Sequence, residues 1–364
     1  MPAQFDWTGA GATAFVSDAA NWAQNVAPTW TTDSLNFSGV AAGAPPPGNA
    51  PGMPAGAAPA AANPTKSVVF DAAAPAAFGG IYFAQEYTGG VTFAQSESIG
   101  LLAGAGQTFT VNAGSTFSVI SGALTGSTLQ GPGTLEVGAP SGVMGGLSLS
   151  GNTSISVGSF AIDAGSNLML QGNSSVSSDT VTNNGTMWLS ASVTLASGNV
   201  TNNGSMWIGA NLAVSGMLTN NGTLGWFSGT ISPALGTVIL NNGLFNIQGG
   251  KLTMNAGGLI QDNGLIVAGA NNLTLASDLT LAASGSLWVQ GWATTLEGTV
   301  MDGGITQIAA GTSLNVAGPD FVTWGTAKID GAGTLNVNSQ LTAFANTILD
   351  VQPAVVMDAN AKIQ

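Results

Sequence analysis

Asn183-Asn184-Gly185-Thr186-Met187-Trp188-Leu189 returns as Asn202-Asn203-Gly204-Ser205-Met206-Trp207-Ile208, and again as Asn220-Asn221-Gly222-Thr223-Leu224-Gly225-Trp226. The same turn recurs at Asn241-Asn242-Gly243 and Asp262-Asn263-Gly264, so five copies follow at steps of 19, 18, 21 and 21 residues. A period near 20 is too short for paired-helix repeats. It fits a coil of short strands in which every turn buries its apolar face against its neighbours.

After each turn the residues alternate. Met187 and Leu189, Met206 and Ile208, Phe245 and Ile247, and Leu287 and Val289 share one face, expected to point inward. Thr186, Trp188, Ser205, Trp207, Ser286 and Trp288 share the other. A second apolar landmark, at Val193, Leu212, Ile231, Leu252 and Leu273, keeps steps of 19, 19, 21 and 21. The phase extends outward, because Gly131-Pro132-Gly133-Thr134-Leu135 and Gly331-Ala332-Gly333-Thr334-Leu335 lie 200 residues apart. Regular rungs are therefore expected from about residue 100 to 364, about 13 of them, stacked over roughly 60 Å at ~4.8 Å per strand. The fold class is all-β, a parallel β-solenoid with about 20 residues per rung.

Repeated asparagines suggest either calcium ligation or structure. Neither the glycine-rich nonapeptide of calcium-binding β-rolls nor an Asp-x-Asp-x-Asp-Gly loop is present, so no metal site is expected. The structural reading assigns Asn183, Asn184, Asn202, Asn203, Asn220, Asn221, Asn241, Asn242 and Asn263 to turns. In these, Asn-Gly supplies positive φ and stacked side chains bond one another in ladders. Asn184, Asn203 and Asn221 also stand in glycosylation acceptor triplets, which the repeat generates by itself.

The four basic residues are Lys66, Lys251, Lys328 and Lys362, and the chain has no histidine and no cysteine. Histidine bases, Ser-His-Asp and Cys-His nucleophilic sites, His or Cys zinc sites and disulfides are thereby excluded. A net charge of −13 without a basic patch argues against nucleic acid. Paired carboxylates remain the one open route to catalysis. Asp262 with Asp278, and Asp302 with Asp320, are the pairs about one rung apart. The expectation is nevertheless a non-enzymatic chain without cofactor, its 17 acidic residues dispersed for solubility.

Only 6% of residues are charged, so Thr, Ser, Asn, Gly and Ala must cover the outside. Such a surface suits packing against copies of itself or against glycan. No run of 18 or more apolar residues and no basic-then-apolar leader occurs, so neither a transmembrane segment nor a signal peptide is expected. The last ten residues are not a barrel strand ending in an aromatic.

The first hundred residues differ. Trp7-Thr8-Gly9, Asn21-Trp22, Asp33-Ser34-Leu35-Asn36-Phe37, Ile81-Tyr82-Phe83 and Tyr87-Thr88-Gly89-Gly90-Val91-Thr92-Phe93 follow in that order. This opening resembles that of bacterial autotransporter-type passenger proteins and related secreted surface proteins built on β-strand repeats. The motif match covers residues 5 to 137. The resemblance implies a right-handed parallel β-helix at the cell surface or outside the cell. It also implies that Trp7, Trp22 and Phe37 cap the first rungs. A cap is needed because a terminal rung otherwise exposes apolar interior and open strand edges.

Residues 1–39 are thus expected to form cap strands, 40–66 a loop and 67–364 the solenoid. The segment 40–65 holds 21 Ala, Gly or Pro among 26 residues and reads as a loop bulging from the solenoid, partly polyproline II.

Outward tryptophans are the candidate surface: Trp188 and Trp207 on consecutive rungs, and Trp288 at the same position further on. They suit burial under the chain's own loop, subunit packing, or stacking on sugar. Trp226 and Trp292 fall out of phase and are expected in the core or at corners. The leading expectation is an extracellular structural protein whose copies assemble head to tail into a fibre, matrix or layer. The alternatives are a surface adhesin binding glycan or host through the tryptophans, and a phage or virus tail-fibre component.

Overall fold

The computed structural model describes residues 4–29, 33–37, 65–84, 86–138, 145–190, 193–209, 211–228, 231–233, 238–249, 251–253, 258–270, 272–338, 340–344, 347–351, 354–357 and 362–363. Residues 40–64 of the Ala/Pro-rich segment lie outside these. Strands dominate, and the one helical element among the described residues is the short 3-10 turn Ala19–Asn21. The fold is an all-β parallel β-solenoid with about 21 residues per turn. The chain forms two compact units, Met1–Ser178 and Asp179–Gln364.

In the second unit each turn contributes strands to three parallel ranks. One rank runs from Thr186–Leu189 through Ser205–Ile208, Thr223–Trp226 and Leu244–Ile247 to Ile348–Val351. A second contains Lys251–Thr253, Leu273–Ala276 and their successors to Ala354–Met357. The third holds Leu218–Asn220, Val238–Asn241, Leu259–Asp262 and onward to Lys362–Ile363. Inward positions are those of the alternating pattern: Met187, Leu189, Met206, Ile208, Phe245, Ile247, Leu287 and Val289 are all buried. The first unit uses the same arrangement with bulkier filling. Phe70, Phe93 and Phe117 stack rung over rung, with centroids 4.9 and 4.0 Å apart.

The second landmark needs correction. Leu195, not Val193, lies in register with Leu212, which pairs on with Ile231. Leu252 pairs with Leu275, and Leu273 with Thr294. Val193, Leu195, Leu273 and Leu275 are all buried. A slip of two residues keeps the same side chains inward, so alternation alone leaves register free to move in twos.

The turns between the third and first ranks carry two amide ladders. In the inner one Asn183, Asn202, Asn220, Asn241 and Asp262 are fully buried. Each Nδ2 donates to the Oδ1 one turn on, at 2.7, 2.7, 2.6 and 2.6 Å. The same amides also donate to backbone carbonyls at Ser205, Thr223, Leu244 and Leu265. In the outer ladder Asn203, Asn221, Asn242 and Asn263 donate back to Asn184, Asn203, Asn221 and Asn242, each at 2.8 Å. The two columns run with opposite polarity.

The glycines of these turns act differently from the sequence expectation. Gly204, Gly222, Gly243 and Gly264 do not adopt positive φ. Instead a Cβ on any of them would overlap the carbonyl oxygen of the glycine one turn before: Gly185, Gly204, Gly222 and Gly243. Close backbone approach, not left-handed conformation, excludes a side chain there.

Removing one inner rung should be costly. Asn202→Ala leaves Asn183 without its forward acceptor and Asn220 Oδ1 without its donor, inside a cavity. A loss of about 2–4 kcal/mol is expected as a lowered urea midpoint. Asp262→Asn keeps an acceptor for Asn241 but turns an amide NH2 toward Ser286 N–H, which loses its acceptor, so it should also lower the midpoint, by about 1–3 kcal/mol.

Candidate functional site

Three outward aromatic rings meet on the first rank of the second unit. Trp188 and Trp207 are in register on adjacent turns, and their rings stack at 5.4 Å with planes 24° apart. Phe227 continues the stack against Trp207 at 5.6 Å and 21°. The spacing follows from strand separation, since side chains in register on neighbouring parallel strands sit about 4.8 Å apart. Gly225 lies in register after Trp207, and a Cβ there would overlap the Trp207 ring. The glycine lets the indole lean along the axis and reach Phe227. Trp188 is 45% exposed, while Trp207, with both faces occupied, is half-buried.

Trp288 is 38% exposed on the same rank, but Gly225, Asn246 and Val267 separate it in register from Trp207. It does not join the stack. Trp226 is a buried core residue. Trp292 sits at a corner, 77% exposed at the bend before Ala293–Leu296. Phe227 is the member that sequence reasoning missed, because it follows the strand rather than occupying the repeating tryptophan position.

In the first unit Phe5, Trp7, Trp22, Phe37, Phe83 and Tyr87 form an aromatic cluster. Trp7 meets Trp22 edge-on at 5.2 Å, Trp22 meets Phe37 at 5.9 Å, and Phe37 stacks on Phe83 at 4.8 Å. All six are buried. The chain folds back over the first strand, Gln4–Asp6: Trp7 and Trp22 form an antiparallel bridge, and Ala23 N donates to Asp6 O at 2.9 Å. Lys66 fastens this fold. Its Nζ donates to Gly9 O and Asn21 Oδ1, both at 3.0 Å, and to Gly11 O. Tyr87 donates from its hydroxyl to Lys66 O at 2.8 Å, and burial raises its pKa.

The carboxylate pairs named from sequence are not brought together. Asp262 and Asp302 are buried, whereas Asp278 and Asp320 are exposed and pair in register with Leu259 and Gln340. Burial raises both buried groups, against hydrogen bonds that lower them: Asn241, Ser286 and Gly264 on Asp262, Thr306 and Gly304 on Asp302. Register does stack Asp330 on Asp350, 20 residues apart, with Lys328 Nζ donating to Asp330. Locally the turns put Asp262 in register with Leu281 and Asp302 with Thr323, so the 16- and 18-residue pairs miss register. Among the described residues no group of three or more His, Cys, Asp or Glu could hold a metal ion. No helix among them is long and apolar enough to cross a membrane.

Glu97 is a buried acid in the first unit. Gln95 Nε2 donates to its Oε1 at 2.8 Å, while Oε2 is buried without a partner. Burial, then the nearby Asp71 carboxylate, pushes it up to about 7, against the Gln95 bond that lowers it.

Searches against protein families, characterised proteins and solved structures found no match.

Glu97 has a testable linkage. Its folded pKa of about 7 lies above the model-peptide value of 4.5, so the native state holds a proton that the unfolded chain releases between those values. Stability is therefore greatest below pH 4.5 as far as this group is concerned, and falls as pH rises through 7, by roughly 2–3 kcal/mol. Asp262 and Asp302, also raised, act in the same sense. Urea midpoints at acid and alkaline pH should show this decline, and Glu97→Gln should flatten the Glu97 part of it.

Proposed function

We propose that this chain is a non-enzymatic, extracellular structural protein whose copies associate into a fibre, matrix or surface layer. The observation that carries the reading is the outward aromatic stack of the second unit: Trp188, 45% exposed, stacks on Trp207, and Trp207 on Phe227, which is 38% exposed. An uncovered row of large rings on a surface of small polar residues favours packing against another copy.

Composition supports the same reading, because with only 6% of residues charged a surface of small polar residues opposes close packing less than a densely charged one. The first strand of the first unit, Gln4–Asp6, is covered by the chain's own return at Trp22 and Ala23, so the reading rests on the sides of the turns and not on that strand.

A second reading, an adhesin for glycan or host surface, draws on the Trp188, Trp207 and Phe227 stack. Its interior faces are taken up by ring-on-ring contact, which leaves ring edges and the outer faces for a ligand.

Light scattering and negative-stain microscopy across concentration should reveal associated particles, and Trp188→Ala with Trp207→Ala should return them to monomers. Monomers at every concentration would sink the structural reading. Loss of cell or glycan binding in Trp188→Ala with Trp207→Ala, with assembly intact, would favour the adhesin.

A further inference from the structure

Five Asn-Gly pairs occur in the outer ladder, and this dipeptide is where a backbone nitrogen most readily attacks the preceding carboxamide, because glycine places no side chain in the way. The ladder does not treat the five alike. Asn203, Asn221 and Asn242 each have Nδ2 and Oδ1 engaged, one with the turn before and one with the turn after. The glycine N–H groups that would attack them are also held. Gly204, Gly222 and Gly243 donate to Asn183, Asn202 and Asn220 carbonyls at 3.0, 3.1 and 3.1 Å.

Asn263 makes the last ladder bond. Its Nδ2 donates to Asn242, and the chain offers no Asn-Gly turn on the following rung. Its neighbour differs too. Gly264 N–H donates at 3.3 Å to Asp262 Oδ1, a carboxylate oxygen and not a peptide carbonyl. That carboxylate is buried and fixed, because Asn241 Nδ2 donates to Oδ1 at 2.6 Å and Ser286 N donates to Oδ2 at 2.9 Å. A base thus touches the proton that must leave for the nitrogen to attack.

We propose that Asn263-Gly264 is a site of self-catalysed modification, in which Asp262 serves as base for succinimide formation at Asn263. The Gly264 nitrogen bonds to Asn263 Cγ as its proton passes to Asp262. The Cγ–Nδ2 bond then breaks, and the proton returns from Asp262 to the departing nitrogen, releasing ammonia. Water opens the five-membered imide at either carbonyl and leaves aspartate or isoaspartate at 263. No oxidant or cofactor is required. The product ends the outer ladder with a negative charge beside Asp262.

Asn184 provides the internal control. It sits at the opposite end of the same ladder and precedes Gly185, but its preceding residue is the amide Asn183 and not an acid. The folded full chain should be aged at mildly alkaline pH, digested and followed by mass spectrometry with isoaspartate-specific methyl labelling. Conversion at Asn263 should lead that at Asn184, Asn203, Asn221 and Asn242 by roughly tenfold, equivalent to about 1.4 kcal/mol in barrier. In urea all five rates should converge, and in folded Asp262→Asn, checked by circular dichroism, the lead should vanish. Equal rates at the five sites of the folded wild-type chain would overturn the proposal without reliance on any variant. So would an Asn263 lead that survives Asp262→Asn.

Discussion

A buried carboxamide is costly unless both its donor and its acceptor are used, and that requirement organises the second unit from Asn202 onward, the one orphan being Asn183 Oδ1 where the inner ladder starts. Asn202 satisfies Asn183 and is satisfied by Asn220, so each rung commits the next. The bond demands a translation of one strand spacing, which the stacked Gly-carbonyl contacts also impose. Asparagine can continue such a column because it both donates and accepts. Aspartate, accepting only, can end it where donors arrive, and Asp262 does so, with three donors converging on its two oxygens. On the next turn the column holds Leu281, and the inward position reverts to packing.

This accounts for what could be read from the chain. The Asn-Asn-Gly copies revealed the period because a polar residue inside an apolar core must recur at each turn, whereas apolar positions only have to alternate. Val193 and Leu195 are equally good core residues, so hydrophobicity could not choose between them. The opposite signs of the two ladders were not legible, since identical residue types serve both directions. The role of the turn glycines was misassigned because a contact between backbones one turn apart leaves the same mark on sequence as positive φ. Phe227 was hidden for a related reason: it touches Trp207 only because Gly225 gives way between them.

The carboxylates show how burial separates residues that lie about one turn apart in sequence. Asp262 and Asp302 point inward, where desolvation favours their neutral forms, while Asp278 and Asp320 point out into solvent. Inward and outward positions one turn apart cannot cooperate across the sheet, whatever their spacing. Lys66 shows the complementary case of a charge placed for structure. Its ammonium gathers three oxygens from the Gly9–Asn21 segment and ties that segment to the strand that begins at Val68. With four cations in the whole chain, one is committed to holding the cap in place.

The opposed polarity of the two amide columns has an electrostatic result. In an α-helix every peptide dipole points the same way, and the potential at each end builds until it reaches about half an elementary charge. Here each rung adds one side-chain dipole in one direction and another, a residue away, in the reverse direction. Their sum stays near zero however many rungs are stacked. A longer run of Asn-Asn-Gly turns would therefore add hydrogen bonds without adding a side-chain dipole along the stack.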